Sequence, residues 1–210
     1  LHDIATGMND SFIMFALRFN FTKQGYFRTD YSFDNESWVK QTFHQKRFRL
    51  QGSVQLYKWL SLEGAYTIGG GIFYDPEDPY KGKTLYLSCG FTLQPNSKLS
   101  QSCSVDYEDF KNPQTDKRVY DALIINSRTT YQFNKYFFVR ANFRYDSYED
   151  NLLTDFLASF TLIPGTVIHV GYGSLYERGC EETDILSLNP RRMLQTQQSF
   201  FLKASYRWRL

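Results

Sequence analysis

The residue types that carry most enzyme chemistry are sparse in this chain. His2, His44 and His169 are the only histidines, and only His169 falls in a segment with strand-like alternation. A histidine there could serve as a general base toward a serine or an acid on a neighbouring strand, the arrangement a hydrolase built into a sheet requires. No motif marks the nucleophile, because Gly171-Tyr172-Gly173-Ser174 lacks the strand-to-helix setting of a nucleophile elbow. A hydrogen-bonded structural histidine is the preferred reading, and no residue is given a catalytic role. Asp75, Glu77 and Asp78 are close in sequence, but their spacing fits no known calcium loop. The three cysteines lack metal-ligand spacing, so neither a metal nor a cofactor is expected.

Charge at every second position is the stronger signal. Arg18, Arg28, Arg47, Arg49, Glu63, Asp106, Arg128, Arg140, Arg144, His169, Lys203 and Arg207 all fall on the polar side of alternating segments. Such a face, lining a lumen, would favour anionic solutes. It would equally form a ladder of cross-strand ion pairs, and the number of acids favours the ladder. The net charge is only +2, which gives no support to nucleic-acid binding. Cys89 and Cys103 are equidistant from Asn96 in one predicted hairpin and should sit opposite each other on its apolar face. That placement admits a disulfide in an oxidising compartment, although two small thiols packed against apolar surroundings is the preferred reading.

The elements that position these residues are strands. Period-two alternation gives about eleven of them, each roughly 9 to 13 residues long. The first carries Ile13, Phe15, Leu17, Phe19 and Phe21 on one face, with Arg18 and Asn20 on the other. Phe48, Leu50 and Val54 oppose Arg47, Arg49 and Gln51 in the third, and Phe137, Val139 and Phe143 oppose Arg140, Asn142 and Arg144 in the eighth. Short connections at 23–25, 57–59, 95–97, 134–135 and 164–165 are predicted to alternate without exception with longer, more polar ones. The latter include one through Asn35, Glu36 and Ser37 and one over 69–82. Aromatic residues gather at both ends. Phe21, Phe27, Trp59, Phe133, Phe137 and Trp208 lie near the short turns, and Tyr31, Phe33, Tyr66, Tyr107 and Tyr145 near the long loops.

The last eleven residues, FFLKASYRWRL, place Phe200, Leu202, Ala204, Tyr206, Trp208 and Leu210 on one face, with Phe201 the single apolar exception on the other. Aromatic residues make up 18% of the 210-residue chain, yet its mean hydropathy is −0.47. Strands that are apolar on one face and polar on the other account for both, and no apolar run is long enough for a transmembrane helix. The fold class expected is therefore all-β: an antiparallel transmembrane barrel of the bacterial outer membrane, with short turns in the periplasm and aromatic girdles at both interfaces. The terminal pattern of Leu202, Tyr206, Trp208 and Leu210 resembles the signal read by the barrel-assembly machinery during insertion. An odd strand count, with the N-terminus at the long-loop end, leads to the expectation of a C-terminal part of a longer chain, residues 1–210 forming one barrel domain. Residues 1–10 would be the end of a loop.

Thr130-Tyr131-Gln132-Phe133-Asn134-Lys135, Phe137-Phe138-Val139-Arg140, Leu162-Ile163-Pro164-Gly165-Thr166, Val170-Gly171-Tyr172-Gly173 and Phe200-Phe201-Leu202-Lys203-Ala204-Ser205-Tyr206 form a series. It resembles the C-terminal barrel, a domain of unknown function, of large outer-membrane proteins that begin with a carbohydrate-binding family 9-like module. That resemblance implies a non-enzymatic barrel linked to carbohydrate through a module absent from these 210 residues. The functional expectation is a membrane anchor or solute pore embedded in outer-membrane lipid, with a carbohydrate or another small solute as ligand. The alternatives are a barrel-embedded hydrolase using His169 and a receptor-type transporter with an upstream plug.

Overall fold

The computed structural model describes residues 2–3, 8–22, 24–39, 41–163, 165–178 and 193–207. Its elements are β1 (His2–Asp3), β2 (Met8–Asn9), β3 (Ser11–Phe21), β4 (Gly25–Trp38), β5 (Gln41–Tyr57), β6 (Leu60–Phe73), β7 (Tyr80–Leu93), β8 (Leu99–Lys111), β9 (Arg118–Asn134), β10 (Phe137–Asp146), β11 (Asn151–Ile163), β12 (Thr166–Arg178) and β13 (Met193–Ser205). Strands β3 to β13 hydrogen-bond in chain order as an 11-stranded antiparallel sheet, so the all-β, eleven-strand expectation holds. The N-terminal stub is not a plain loop: β1 and β2 pair with each other in a separate two-stranded sheet. No described helix is long and apolar enough to cross a membrane, a result that leaves strand-spanning proteins untouched.

The strands run beyond the apolar bands that reveal them. Asn35, Glu36 and Ser37, expected in a polar connection, continue the β4–β5 ladder and pair with His44, Phe43 and Thr42. The connection shrinks to residues 39–40, which breaks the predicted alternation of short and long links. Val39 takes φ 44°, a left-handed conformation that β-branched residues avoid. A two-residue hairpin turn normally announces itself with Asn-Gly or Asp-Gly, and Val39-Lys40 carries no such signal. Elsewhere the turn chemistry is conventional. The side-chain oxygens of Asp75, Asn96, Asn112, Asn134 and Asp146 each accept backbone N–H groups two and three residues ahead.

The final strand also differs in extent. It begins at Met193 and its ladder ends where Ser205 faces Val167. Strand β12 starts at Thr166, so little partner backbone remains beyond that point. Tyr206 and Arg207 therefore lie past the strand, while Trp208 and Leu210 are outside the described residues.

The chain forms two compact units. The first comprises Leu1–Tyr57, Ser61–Gly90 and Asp106–Ala122. In its strand β4, Phe27, Tyr31 and Phe33 are exposed while Asp30, Ser32 and Asp34 are buried, the reverse of a water-soluble sheet. Phe110, 2% exposed, is its most enclosed aromatic. It stacks on Tyr120 with centroids 5.3 Å apart and sits on the bare backbone of Gly82, where a Cβ would collide with the ring. The second unit comprises Lys58–Leu60, Phe91–Val105 and Leu123–Leu210. It repeats the inversion: Phe143, Phe156, Phe160 and Tyr172 are exposed, whereas Ser159 and Asp146 are buried. Phe201, the apolar exception of the last strand, faces Gly171 across the ladder and lies over it. The glycine leaves the space that an aromatic on the polar face needs.

Replacing Val39 with Asn should relieve the left-handed turn. Asn tolerates that conformation, so the midpoint of urea unfolding should rise, by a stability gain of up to about 1 kcal/mol. An unchanged or lower midpoint would mean that the turn holds no such strain.

Candidate functional site

The polar face of the first unit borders a cavity of about 640 Å³. Alternation builds it: Gln45, Arg47, Arg49 and Gln51 project from β5, and Thr67, Gly69 and Gly71 lie along β6. Charges on this polar face are largely committed to neighbouring groups. Arg28 pairs with Asp30 at 3.1 Å, and the Arg47 Nε donates to Asp34 Oδ2 at 2.8 Å. Both aspartates are buried, at 6% exposure, so each ion pair serves chiefly to keep a carboxylate from being stranded. Three tyrosines do the same for other acids by donating a phenolic hydrogen bond. Tyr74 bonds Glu36 at 2.8 Å, Tyr86 bonds Asp106 at 2.9 Å and Tyr120 bonds Glu108 at 3.1 Å. Arg49 instead donates to a neutral group, Thr67 Oγ1, at 3.4 Å. The cavity thus presents mixed donors and acceptors with one guanidinium bound to no carboxylate among the described residues.

Of the residues expected on polar faces, the first unit places Arg18 beside Asn20 and over the Tyr26 ring, 4.2 Å from its centroid. It brings Arg49 to the cavity, with Asp106 hydrogen-bonded nearby through Tyr86, and leaves Glu63 exposed on β6. Glu36, Tyr74, Tyr86, Phe110 and Tyr120 also line the cavity and were not anticipated. The usable signal was parity: Thr84 and Tyr86 occupy the polar register of β7. Glu36 and Tyr74 were hidden because their segments looked like loops.

In the second unit the Arg128 Nε donates to Asn142 at 3.1 Å, Arg144 approaches Asp146 at 3.9 Å, and Arg140 lies 5.6 Å from the Phe138 ring centroid. His169 is paired in register with Ser159 on one side and Lys203 on the other. Its Nδ1 is buried without a hydrogen-bond partner, so the satisfied histidine expected from the sequence is not what this atom shows. A base acting on a nucleophile needs that atom within about 2.6–3.2 Å, and Nδ1 reaches none. Arg207, expected on the polar face of a strand, sits beyond β13 against Gly165. No disulfide joins Cys89 and Cys103, and both thiols are free. Cys180 lies outside the described residues. The Asp75 carboxylate is occupied by the backbone N–H groups of Glu77 and Asp78, and no described His, Cys, Asp and Glu cluster is arranged for a metal.

Neither a family model nor a curated relative matches this sequence. Among solved structures, the chain is similar to the NanC porin, at TM-score 0.43 and 9% identity over 95% of this chain and 94% of that one. It is also similar to the KdgM porin, at TM-score 0.36 and 8% identity over 93% and 91%. Likeness at this level leaves the function open.

Tyr74, in the connection between β6 and β7, has its pKa pushed up to about 12, first by burial and then by its bond to Glu36. Because the folded value exceeds the ordinary value near 10, its contribution to stability is complete below pH 10 and lost as pH rises through about 12. An ultraviolet phenolate titration of the wild type minus Tyr74→Phe should isolate a phenol with a midpoint near 12. In Glu36→Gln that midpoint should fall partway toward 10. A difference curve centred on 10 in the wild type would contradict the geometry.

Proposed function

We propose that this chain is an integral outer-membrane β-barrel protein whose polar faces line a passage for small polar solutes. The observation that carries the reading is the inverted burial of its strands. Aromatic and aliphatic side chains such as Phe27, Tyr31, Phe156 and Tyr172 are exposed, while Asp30, Asp34 and Ser159 are enclosed. In water that surface would be a large aggregation liability; in hydrocarbon it is the stable arrangement. Strands β4 to β12 satisfy their backbone groups through neighbours on both sides, which is the requirement for strands that span lipid, while β3 and β13 have one neighbour each among the described residues.

The solute class follows from the cavity. Gln45, Gln51, Thr67, Tyr86 and two arginines offer many hydrogen bonds and little net charge, a lining suited to polyhydroxylated or weakly anionic molecules such as sugars. An anchor without a passage is the second reading, favoured because lining Arg47, Glu36 and Glu108 are held by Asp34, Tyr74 and Tyr120.

Two measurements test this proposal. Ala158→Arg, on the apolar face, should cost about 2–4 kcal/mol of folding stability in lipid vesicles, whereas Asn142→Arg, on the polar face, should cost far less. Equal costs would refute the membrane orientation. The full chain in planar bilayers should conduct ions in discrete steps that sugars partly block. Stable insertion without conductance would leave the anchor.

A further inference from the structure

We infer that the short-turn rim of the second unit is a docking surface for anionic phospholipid, holding phosphate headgroups at a row of cations and an acyl chain in the groove above. This rests on the membrane reading proposed in the preceding section. Hydrogen bonds from each of three connections to the neighbouring connection or strand end link the rim. Gln94 N–H donates to Trp59 C=O, Gln132 N–H to Lys98 C=O, and Thr161 N–H to Tyr136 C=O, each at 2.7 Å. Three connections bring one cation each, Lys58 beside Trp59, Lys98 closing the turn after β7 and Lys135 after β9, and Arg207, past the end of β13, packs over Gly165. All four are exposed. A Cβ at Gly165 would lie 2.7 Å from that of Arg207, so the glycine is what lets the arginine rest on the turn.

The same rim contains no acid. Residues 58–60, 93–99, 132–138, 161–168 and 203–207 hold neither Asp nor Glu. The acids of this unit begin at Asp146, in the opposite half of the strands, and include Glu149, Asp150, Asp155 and Glu177. Exposed Trp59, Phe133, Tyr136 and Tyr206 alternate with the cations, and Lys135 Nζ lies 4.8 Å from the Tyr136 ring centroid. Cations among amphipathic rings match the headgroup level of a bilayer, where a negative surface potential attracts basic residues.

The apolar face above the rim identifies the source of the phosphate. A groove of about 330 Å³ runs over Val139, Ala141 and Ala158 between the larger Tyr131, Phe156 and Tyr172. Tyr131 precedes Lys135 by four residues, which puts the groove about 13 Å from the cation along the strand. An acyl chain whose headgroup rests at Lys135 passes through that position, and free phosphate has nothing to place there.

The test uses the full chain in vesicles of phosphatidylcholine doped with chain-brominated phosphatidylglycerol or chain-brominated phosphatidylcholine. Quenching is read as the difference between wild type and Trp59→Phe. Preferential quenching by the anionic lipid, about tenfold in relative binding constant, is expected. The triple variant Lys58→Gln, Lys98→Gln, Lys135→Gln should bring it to near parity, and Ala158→Phe, which fills the groove, should reduce it with the cations intact. Equal quenching by both lipids in the wild type overturns the proposal while leaving the membrane reading in place, whereas no quenching by either lipid overturns the membrane reading itself. Competition by inorganic phosphate that abolishes the preference would show a free-anion site and also overturns it.

Discussion

Every other property of this structure depends on the backbone ladder being the sole hydrogen-bonding solution available to its strands. Where the surroundings of a strand are apolar, an unpaired N–H or C=O costs several kcal/mol, and only neighbouring backbone can relieve it. Strands such as β5, at 17 residues, are long enough to carry that pairing past the apolar band and into polar surroundings. With the ladder fixed, side-chain direction is fixed too, because alternate residues must point to opposite faces. The exposed aromatics and enclosed carboxylates are both results of that one constraint.

A polar interior poses a different packing problem from an apolar core. Its groups must be matched by hydrogen bonds rather than only by shape, since each unmatched one is expensive. The first unit meets most of this demand with two solutions, guanidinium to carboxylate and phenol to carboxylate, although Asp34 Oδ1 stays buried without a partner. Aromatic rings that intrude on this polar layer are accommodated by removing side chains beneath them, Gly82 under Phe110 and Gly171 under Phe201. The layer therefore contains pairings of ring with glycine as well as of opposite charges.

The sequence disclosed the parts of the fold that alternation governs. The number of strands in the main sheet and the short turns, expected at 57–59 and 134–135 and found at 58–59 and 135–136, follow from apolar residues at every second position and from turn-forming Asn or Lys. It concealed the polar ends of the strands, because Asn35 to Ser37 continue the ladder with no hydrophobic residue to mark it. The cavity was half legible for the same reason. Arg49 could be placed by parity, but Glu36 and Tyr74 belong to segments whose polarity suggested loops. The His169 environment was legible as a face and a register, not as a hydrogen-bonding state, since that depends on side-chain rotation.

The order of strands in the sheet matches their order in the chain, with no crossover between β3 and β13. Such a meander keeps most pairings between neighbouring segments, so the entropy lost in closing each link is small. Contact order is lower than it would be for a sheet of this width built with crossovers. Each completed hairpin leaves an open edge on which the next strand can be templated. Assembly can then advance as a zipper, one strand at a time, from the Asx-capped turns, with β3 and β13 left as the two outer strands of the described sheet.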